Sequence, residues 1–427
     1  MISLPPALSH LDFRRVWVSM LCSGVAMQMA QVAIGWQVFS IHHSAFDLGL
    51  IGLVEFIPVP LLALPAGSLA DRLPRVTVVL VWGFADAIVA ALLLVVTLHG
   101  ADKLWQFLAL AAVTGTLGAL GNPAGRSLIP ELVPNELLTG AIAMRSIAGQ
   151  VATIGGPALG GLLFALRPAS VYGVGVVLLV VSSLILLPIE ARDPAPRAER
   201  EEPRGEQLLA GIRFIRATPV ILGAITLDLF AVLFGGAVAL LPLFAKSILH
   251  TGPFGLGVLR SMIAIGALAA GIMLAHRPLV RRAGRTLLLV VGLFGASMVV
   301  FGLSRWFWLS AAALAVSGFV DMISMNIRGT TVALATPNER LGRVTAVEGV
   351  FIGASNELGA FESGAAAALL GAVPAVVLGG VATIALALVW PKVFPELSHL
   401  DELSPAGLRK VLPVGGGGPA AAPEPAD

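Results

Sequence analysis

Nine ionisable side chains interrupt apolar stretches of this sequence that are each long enough to cross a membrane. They are Glu55, Asp86, Arg145, Asp228, Arg260, Asp321, Glu348, Glu357 and Glu362. A charge inside hydrocarbon is costly, so such residues usually form pairs or serve the passage of ions and substrates. A carboxylate whose exposure to water changes can bind and release a proton, because desolvation favours its neutral form. The chemistry indicated is proton exchange or recognition of a charged substrate.

The composition identifies a membrane protein before any motif is considered. Of 427 residues, 57% are hydrophobic and 12% are charged, whereas a soluble domain carries roughly 25% charged residues. A spanning helix needs roughly 20 apolar residues. Twelve spans are predicted, at residues 15–41, 47–70, 76–98, 104–127, 137–166, 169–190, 219–246, 254–276, 285–304, 306–332, 341–368 and 373–394.

Lysine and arginine are unequally distributed between the two sides of the predicted spans. With the N-terminus inside, most of them, including Arg328, fall in cytoplasmic segments, whereas the opposite side holds Lys103, Arg167, Lys246 and Arg305. Positive residues favour the cytoplasmic side. Both termini are therefore predicted to be cytoplasmic, in a bacterial-type plasma (inner) membrane.

The longest polar connection, residues 191–216, divides the chain into two six-helix halves. Its first part is charged and proline-rich, whereas residues 206–216 have the spacing of an amphipathic helix. The predicted domains are residues 1–190, the linker 191–216 and residues 217–395. Residues 396–427, which end in glycine, proline and alanine, are expected to form a disordered cytoplasmic tail.

The two halves contain related sequence blocks at equivalent places. NPAGR at residues 122–126 resembles NIRG at residues 326–329, and each is followed by Pro-Asn-Glu. Such duplication is typical of transporters whose site lies between paired bundles. It also aligns Arg145 with Glu348, which are predicted to pair between the halves; local pairs within each half are the alternative.

The connection between the second and third spans carries the most specific motif, GSLADRLPR at residues 67–75. Gly67 permits close approach of helix ends, and Asp71 is an anion beside helix termini. Arg72 and Arg75 mark a cytoplasmic loop. The G-x-L-A-D-R-x-x-R pattern resembles the loop signature of the major facilitator superfamily.

Residues 10–395 as a whole resemble a major facilitator superfamily transporter, and within it the enterobactin exporter-like efflux group. The closer resemblance rests on the Asp71 loop and on HLDFR from residue 10, GIRFI from residue 211 and LGRV from residue 341. It implies an all-α membrane protein with 12 transmembrane helices in two pseudo-symmetric six-helix bundles. It further implies alternating access around a central cavity, with cation-coupled export.

In this fold the first, fourth, seventh and tenth helices line the cavity, which makes two acids the first candidates for proton coupling. Asp228 lies in the seventh span and Asp321 in the tenth. Glu55 in the second span and Glu357 in the eleventh are the next candidates, and Glu55 could also bind a cationic substrate. The alternative is a structural pair with an arginine or a helix amide. Asp86, on an outer helix, is interpreted as structural.

Polar and aromatic side chains on the predicted cavity helices are candidates for substrate contact. They are Gln28, Gln31, Trp36 and Gln37 in the first span, and Phe230, Phe234 and Met325 in the seventh and tenth. Gln28 and Gln31 share a helical face, with Gln37 near it. Hydrogen bonds between helices are the alternative role for the glutamines, and lipid-facing positions are the alternative for the apolar residues.

The fifth span carries a segment rich in small residues: Gly149, Gly155, Gly156, Pro157, Gly160 and Gly161. It resembles the antiporter motif of the superfamily, in which small residues permit close packing and proline bends the helix. Thr153 departs from that pattern, because a glycine usually stands there. Ordinary helix packing is the alternative.

A cytoplasmic gate is predicted from charges near the helix ends: Gly67, Asp71, Arg72, Arg75, Arg126, Arg145 and Glu348. Asp71 is the principal latch, because His276 stands at the equivalent place in the second half. Arg126 and the start of the eleventh span are its predicted partners.

No catalytic, metal-binding or phosphate-binding motif is found, so neither enzyme activity, a cofactor nor a metal is expected. The formal charge of +2 is too small to indicate nucleic acid. The sequence predicts a monomeric, proton-coupled exporter of a small amphipathic molecule such as a drug or siderophore. The alternatives are an importer or facilitator of a small metabolite, a lipid translocase, and a non-transporting receptor or scaffold. No role is assigned to Arg260 or Glu362.

Overall fold

A computed structural model describes residues 5–100, 103–190, 204–277, 281–404 and 407–408. For residues 63, 64, 67, 68, 70, 71, 204, 205, 207, 208 and 338 only the backbone is described. The described chain is helical, apart from turns, connections and one isolated bridge between Arg281 and Glu402.

Seven helices form the first half of the molecule. They are α1 (Leu11–His42), α2 (Ala45–Phe56), α3 (Pro58–Arg72), α4 (Arg75–Leu98), α5 (Leu104–Leu132), α6 (Leu138–Leu166) and α7 (Pro168–Leu186). The Ser44 side chain caps α2 by accepting a hydrogen bond from the Asp47 amide at 3.3 Å. Helices α2 and α3 form one span that is interrupted at Ile57, where Pro58 cannot donate a backbone hydrogen bond.

The remaining helices form the linker and the second half. They are α8 (Arg204–Ala217), α9 (Pro219–Gly235), α10 (Leu241–Leu243), α11 (Pro253–His276), α12 (Ala283–Leu303), α13 (Phe307–Ala335), α14 (Asn338–Leu370), α15 (Ala372–Val393) and α16 (Pro395–Ser398). The seventh span continues irregularly from α9 through α10 into a π-helical turn at Phe244–Ile248. Proline begins α9, α11 and α16, where its missing N–H leaves no intrahelical bond unmade.

Twelve spans are present, although only eleven segments of the described chain are both long and apolar enough to be recognised as spans by composition. The exception is α14, which has 33 residues but carries many charges. They are Glu339, Arg340, Arg343, Glu348, Glu357 and Glu362. Helix α14 nevertheless packs along α2 and α9 as a spanning helix does. The predicted all-α architecture of two six-helix bundles is confirmed.

Close helix contacts position the charged residues of the second half. A Cβ on Gly266 would overlap the carbonyl oxygen of Ala315, and one on Gly318 would overlap that of Ile263. Helices α11 and α13 therefore meet backbone to backbone, as small residues permit in membrane bundles. The contact fixes the register of the two helices that carry Arg260 and Asp321.

The two ends of the bundle differ in how the halves meet. The start of α1 and the end of α15 lie at one end, called here the terminus face; the opposite end is called the far face. At the far face, a Cβ on Gly49 of α2 would lie 3.0 Å from the carbonyl oxygen of Ala360 on α14. A Cβ on Gly161 of α6 would lie 2.5 Å from the carbonyl oxygen of Pro253 on α11. Two helix pairs thus join the halves there.

Hydrogen bonds strengthen the closure of the far face. The Ser261 hydroxyl on α11 donates to the carbonyl oxygen of Ile154 on α6 at 2.7 Å. The Lys246 ammonium donates to the Ser40 hydroxyl at 2.8 Å and lies 5.7 Å from the ring centre of Trp36. Residues of the first half are therefore bonded to residues of the second.

The terminus face is open between the halves. A Cβ on Gly149 of α6 or on Gly353 of α14 would meet no atom within 4 Å. Ile142 and Ile147 on α6 and Val350 on α14 are exposed at this end. In the described residues the halves therefore pack more closely at the far face than at the terminus face.

The polar segments outside the spans are partly folded. Helix α8 forms where an amphipathic helix is predicted, and it packs on α14: a Cβ on Gly211 would lie 2.9 Å from the carbonyl oxygen of Arg343. The prediction of disorder from residue 396 is wrong for residues 396–404. Leu397 and Leu400 are buried there, and the Gly284 amide donates to the carbonyl oxygen of Leu400 at 2.8 Å. Residues 191–203 and 409–427, also part of those predictions, lie outside the described residues.

Candidate functional site

A cavity of about 350 Å³ lies between the two halves. Its walls come from two helices of the first half, α1 and α2, and from six of the second, α9, α10, α11, α12, α13 and α14. Most of its lining is apolar. The polar lining residues are Gln31, Glu55, Arg260, Ser317, Asp321, Asn356 and Glu357. An amphipathic molecule would meet both apolar walls and charged groups here.

One arginine lies between acids of opposite halves in this cavity. Arg260 of α11 interacts electrostatically with Glu55 of α2 and with Glu357 of α14. Glycine makes room for this arrangement, because a Cβ on Gly52 of α2 would lie 2.9 Å from Oε2 of Glu357. Arg260 therefore forms a charge bridge between the halves at the closed end of the cavity.

A second arginine is buried beside the cavity. Nη1 of Arg328 on α13 lies 2.6 Å from Oδ2 of Asp228 on α9, and its Nε donates to the Ser324 hydroxyl at 3.2 Å. Asp321 lies two turns before Arg328 on α13 and within its electrostatic reach. Asp321 is exposed to the cavity, whereas Asp228 and Arg328 are buried. Asp321 thus lies between the cavity and a buried ion pair.

The cavity continues into a side pocket of about 60 Å³ inside the first half. Helices α1, α2, α4, α5 and α7 line this side pocket. Gln31 and Glu55 line both spaces, and Asp86 of α4 lines the side pocket alone. Helix α5, the fourth span, contributes to the side pocket and not to the cavity, which differs from the predicted set of cavity helices.

Residues 3–408 match the family model described as transmembrane secretion effector, a branch of the major facilitator superfamily. The chain belongs to this superfamily. The resemblance indicated by its loop motif is thereby confirmed, and the molecule is a membrane transporter.

Curated relatives are similar to the transporter over nearly its whole length. The enterobactin exporter EntS of Escherichia coli (strain K12) is 27% identical over 427 residues, which cover 95% of this chain and 97% of the relative. EntS of Citrobacter koseri is 30% identical over 364 residues, covering 81% of this chain and 82% of the relative.

Solved structures share the fold of the transporter. A bacterial homolog of the human lysosomal transporter Spinster, inward-facing and unoccupied, aligns with a TM-score of 0.71 at 13% identity, covering 97% of this chain and 100% of that chain. A mutant of the nucleoside transporter NupG aligns with a TM-score of 0.72 at 12% identity, covering 90% and 100%. At these identities the likeness shows the fold alone.

Three of the four predicted proton-coupling acids line the cavity of the transporter: Glu55, Asp321 and Glu357. Asp228 does not, because it pairs with Arg328. The placement of Arg328 in a cytoplasmic segment is wrong, since α13 continues to Ala335 and the Arg328 side chain is buried. The negative charge of Asp228 offsets the desolvation cost of burying the Arg328 guanidinium.

Of the residues predicted to contact substrate in the first span, only Gln31 reaches the cavity. Gln28 donates to the Thr153 hydroxyl on α6 at 3.4 Å. Trp36 lies at the far face beside Lys246. In this structure the side chains of Gln28 and Trp36 contact residues of other helices, and their contact with substrate stays a prediction.

Gln37 is also turned away from the cavity. Its Nε2 donates to the Thr97 hydroxyl at 3.0 Å, and its Oε1 accepts a hydrogen bond from the Tyr172 hydroxyl at 2.5 Å. The buried amide thus joins α1, α4 and α7. For Gln37 the alternative role, a hydrogen bond between helices, is the one in the structure.

The aromatic candidates on α9 face α15. Phe230 and Phe234 stack with 6.1 Å between ring centres, and Phe230 lies 6.2 Å from the ring of Trp390. Neither lines the cavity; Val232 is the residue from this part of α9 that does. Met325 lies one turn beyond Asp321 on α13, is 49% exposed, and does not line the cavity.

The small-residue segment of α6 packs against both halves. A Cβ on Gly156 would lie 2.5 Å from Cβ of Gln28 on α1, and one on Gly160 would lie 2.8 Å from Cα of Met29. Gly161 faces α11 in the second half. Close packing of helices is therefore a role of this segment in the transporter.

Two other members of the segment face open space. A Cβ on Gly155, like one on Gly149, would meet no atom within 4 Å. Pro157 is buried, and its carbonyl oxygen lies against Gly257 of α11. The segment thus changes from open to packed along α6 towards the far face.

Among the predicted gate residues whose side chains are described, no ion pair joins one half to the other at the terminus face. Nη1 of Arg75 lies 2.7 Å from Oε1 of Glu131, within the first half. Arg145 and Glu348 are not joined in an ion pair in the described chain; Arg145 lies near Arg126, and Glu348 lies near Arg328.

Part of the predicted latch falls outside the description. Only the backbone is described at Gly67 and Asp71, where it belongs to α3, and the Asp71 side chain lies outside the description. Arg72 is exposed at the end of that helix. The latch at Asp71 and the pair between Arg145 and Glu348 stay predictions for a form in which this face is closed.

Two charged residues of the site had no transport role in the sequence interpretation. Arg260 was unassigned, and Asp86 was interpreted as structural. Both are ionisable residues within an apolar span, which is the sequence pattern that indicates a functional residue in a membrane helix. What distinguishes them is the helix face that they occupy, which hydropathy does not reveal.

Proposed function

We propose that the transporter exports a small amphipathic molecule, a drug or a siderophore, in exchange for protons and by alternating access. The observation that carries this proposal is the cavity between the halves, in which Arg260 lies between Glu55 and Glu357. The enterobactin exporters among its relatives support export as the direction. The terminus face is taken to be cytoplasmic, as the distribution of arginine favours.

Proton binding would act on the charge bridge. With Glu55 and Glu357 ionised, each attracts Arg260, and α2 of the first half is held to α11 and α14 of the second. A proton on Glu55 removes the attraction that crosses from one half to the other, and such attractions are strong in a largely apolar site. A proton on Glu357 changes a pair within the second half. Protonation of Glu55 would therefore weaken the contact between the halves, and deprotonation would restore it.

Asp321 would couple the cavity to the second half. Its carboxyl is accessible from the cavity and lies near Arg328, which is held by Asp228. A proton or a cationic substrate at Asp321 would change the field at Arg328. Rocking of the halves would then expose the same carboxyl to the other side of the membrane.

At the terminus face, closing would bring the predicted latch together. In the closed form Asp71 would accept hydrogen bonds from the start of α14, and Arg145 would pair with Glu348. Both contacts would replace those lost when the far face opens. Alternating access requires such an exchange, because a form favoured at both faces could not cycle.

Transport in reconstituted vesicles tests the proposal. Purified protein in proteoliposomes is given an imposed pH gradient, with ethidium as the drug probe and enterobactin as the siderophore probe. Uptake driven by the gradient and abolished by a protonophore is the expected result for at least one probe. The matched control is one triple variant, Glu55→Gln/Asp321→Asn/Glu357→Gln. It keeps the sizes of the side chains, removes three charges and should show no gradient-driven uptake. If the rate of probe transport does not depend on the pH gradient, proton coupling is rejected and a facilitator is favoured.

A further inference from the structure

Asp86 is a buried acid without a counter-charge. Its side chain is on α4, and the residue is 7% exposed. Its charged neighbour is another acid, Glu55, and its hydrogen-bond partner is the neutral indole of Trp82, one turn earlier on the same helix. Within the described chain no lysine, arginine or histidine lies within ion-pair distance of it. Burial of such a group is costly unless something else supplies the missing interactions.

The position of Asp86 argues against a purely structural role. A polar residue that holds a bundle together bonds to a neighbouring helix, as Gln37 does with Tyr172. Among the described residues Asp86 has no hydrogen-bond partner on another helix, and it lines the side pocket. Its carboxylate is thus directed into a space that opens to the cavity past Gln31 and Glu55.

The side pocket has the size of a head group rather than of a whole substrate. Its volume is about 60 Å³, whereas the cavity has about 350 Å³. Apolar side chains such as Ala30, Ile51 and Ala111 form most of its wall, with the Thr114 hydroxyl among them. A small polar group could enter while the body of the molecule stays in the cavity.

The charges around the two spaces are unbalanced. Four acids line them, Glu55, Asp86, Asp321 and Glu357, and Arg260 is the one cation among the described lining residues. Arg260 comes from the second half, whereas Asp86 lies inside the first. A positive group in the side pocket would therefore offset negative charge of Asp86 and Glu55 that Arg260 leaves uncompensated.

We infer that the side pocket binds the cationic head of an amphipathic substrate, an ammonium or amidine, between Asp86 and Glu55. This inference rests on the proposed function, since the side pocket opens from the transport cavity. Charge-assisted hydrogen bonds from the head to two carboxylates supply the affinity, and the Gln31 and Thr114 oxygens are further acceptors. Molecules that occupy this subsite are thereby narrowed to cations, and an anionic siderophore would bind in the cavity without using it.

Equilibrium binding to the purified transporter in nanodiscs tests the inference without any gradient. The probes are 4-phenylbutylammonium and 4-phenylbutanol, which share a body and differ in the charge of the head. We expect the ammonium to bind about tenfold more tightly than the alcohol, because its hydrogen bonds to the carboxylates are charge-assisted and those of the alcohol are not. Equal affinity of wild type for the two probes would overturn the inference.

Two variants and one control locate the effect. Asp86→Asn should remove the preference for the ammonium and leave binding of the alcohol unchanged. Ala111→Leu fills the side pocket and should weaken ammonium binding with Asp86 intact, so it decides the matter if Asp86→Asn does not fold. Asp47→Asn is the matched control: Asp47 is a buried acid of the first half, but it pairs with His42 at 2.9 Å, outside both spaces.

The outcomes separate this inference from the proposed function. Wild-type preference for the ammonium in Asp86→Asn would overturn the subsite, whatever the vesicle experiment shows. Preference lost in Asp86→Asn but kept in Asp47→Asn would support the subsite. Suppose that the binding experiment gives this result and that a pH gradient does not change probe transport in vesicles. Proton coupling would then be rejected, and the subsite would still be supported.

Discussion

Arg328 and Asp228 form a buried ion pair between α13 and α9, with 2.6 Å between Nη1 and Oδ2. This pair gives the second half a fixed charge arrangement next to the cavity. It also removes Asp228 from the groups that a substrate or proton in the cavity can reach. Asp321, two turns before Arg328, is the acid of that region that faces the cavity.

Breaking the buried pair should destabilise the transporter. Asp228→Asn leaves the Arg328 guanidinium buried without its counter-charge, which should cost about 3–5 kcal/mol. Asp228→Leu combined with Arg328→Met removes both charges and should recover most of that loss. Thermal unfolding in detergent measures both effects, with Asp12→Asn, in a partly exposed ion pair with Arg15, as control. Unchanged unfolding of Asp228→Asn would contradict the stabilising role of the pair.

Asp321→Asn should abolish gradient-driven transport and keep the thermal stability of the wild type. The carboxyl is exposed to the cavity, so its loss removes a titrating group without leaving a buried charge unpaired. Proteoliposome uptake and thermal unfolding are measured on the same preparation. Glu362→Gln, on α14 and outside the cavity lining, is the control. Wild-type pH dependence in Asp321→Asn would exclude this residue from coupling.

A side chain added at Gly161 should shift the transporter towards a form open at the far face. The added Cβ would lie 2.5 Å from the carbonyl oxygen of Pro253, so α6 and α11 must separate. Spin labels at Leu98 and Trp306, both exposed at that face, should report longer distances in Gly161→Leu. Gly155→Ala on the same helix, where a Cβ meets open space, should leave them unchanged. Unaltered distances in Gly161→Leu would refute the packing role.

Tyr172→Phe should lower stability and spare transport. It removes the donor to Oε1 of Gln37 and leaves a buried acceptor unsatisfied, which costs about 1–3 kcal/mol. Thermal unfolding should report the loss, while uptake per folded protein stays at the wild-type level. Ser9→Ala removes an exposed hydrogen bond to Pro6 and serves as the control. Tyr172 also lines the side pocket, so a loss of specific uptake in Tyr172→Phe would show that its hydroxyl, or the bond to Gln37, takes part in transport.

The spans were predictable because membrane helices are defined by local properties. Length and apolarity are read from neighbouring residues, and the positions of polar connections follow. Even α14, with six charges, was found, because its apolar residues between the charges are numerous. The folded segment at residues 396–404 was missed, since its buried Leu397 and Leu400 have their partners far away in sequence, on α12.

The site was predictable by residue type but not by orientation. Gln31 and Gln37 lie on one helix and look alike in sequence, yet the first faces the cavity and the second bonds to Tyr172. Arg328 appeared to belong to a polar connection because the acid that neutralises it, Asp228, lies on another helix. Which face of a helix meets which neighbour depends on the packing of the whole bundle, and no single segment encodes that.

The glycine contacts at the far face bear on the permeability of the membrane. Gly49 of α2 packs on α14, and Gly161 of α6 packs on α11, so the closed end has two seals of backbone against backbone. Such surfaces leave no room for a file of water molecules, along which protons would otherwise cross. Loss of one seal leaves the other in place. A cell could therefore hold many copies of this protein without draining its ion gradients.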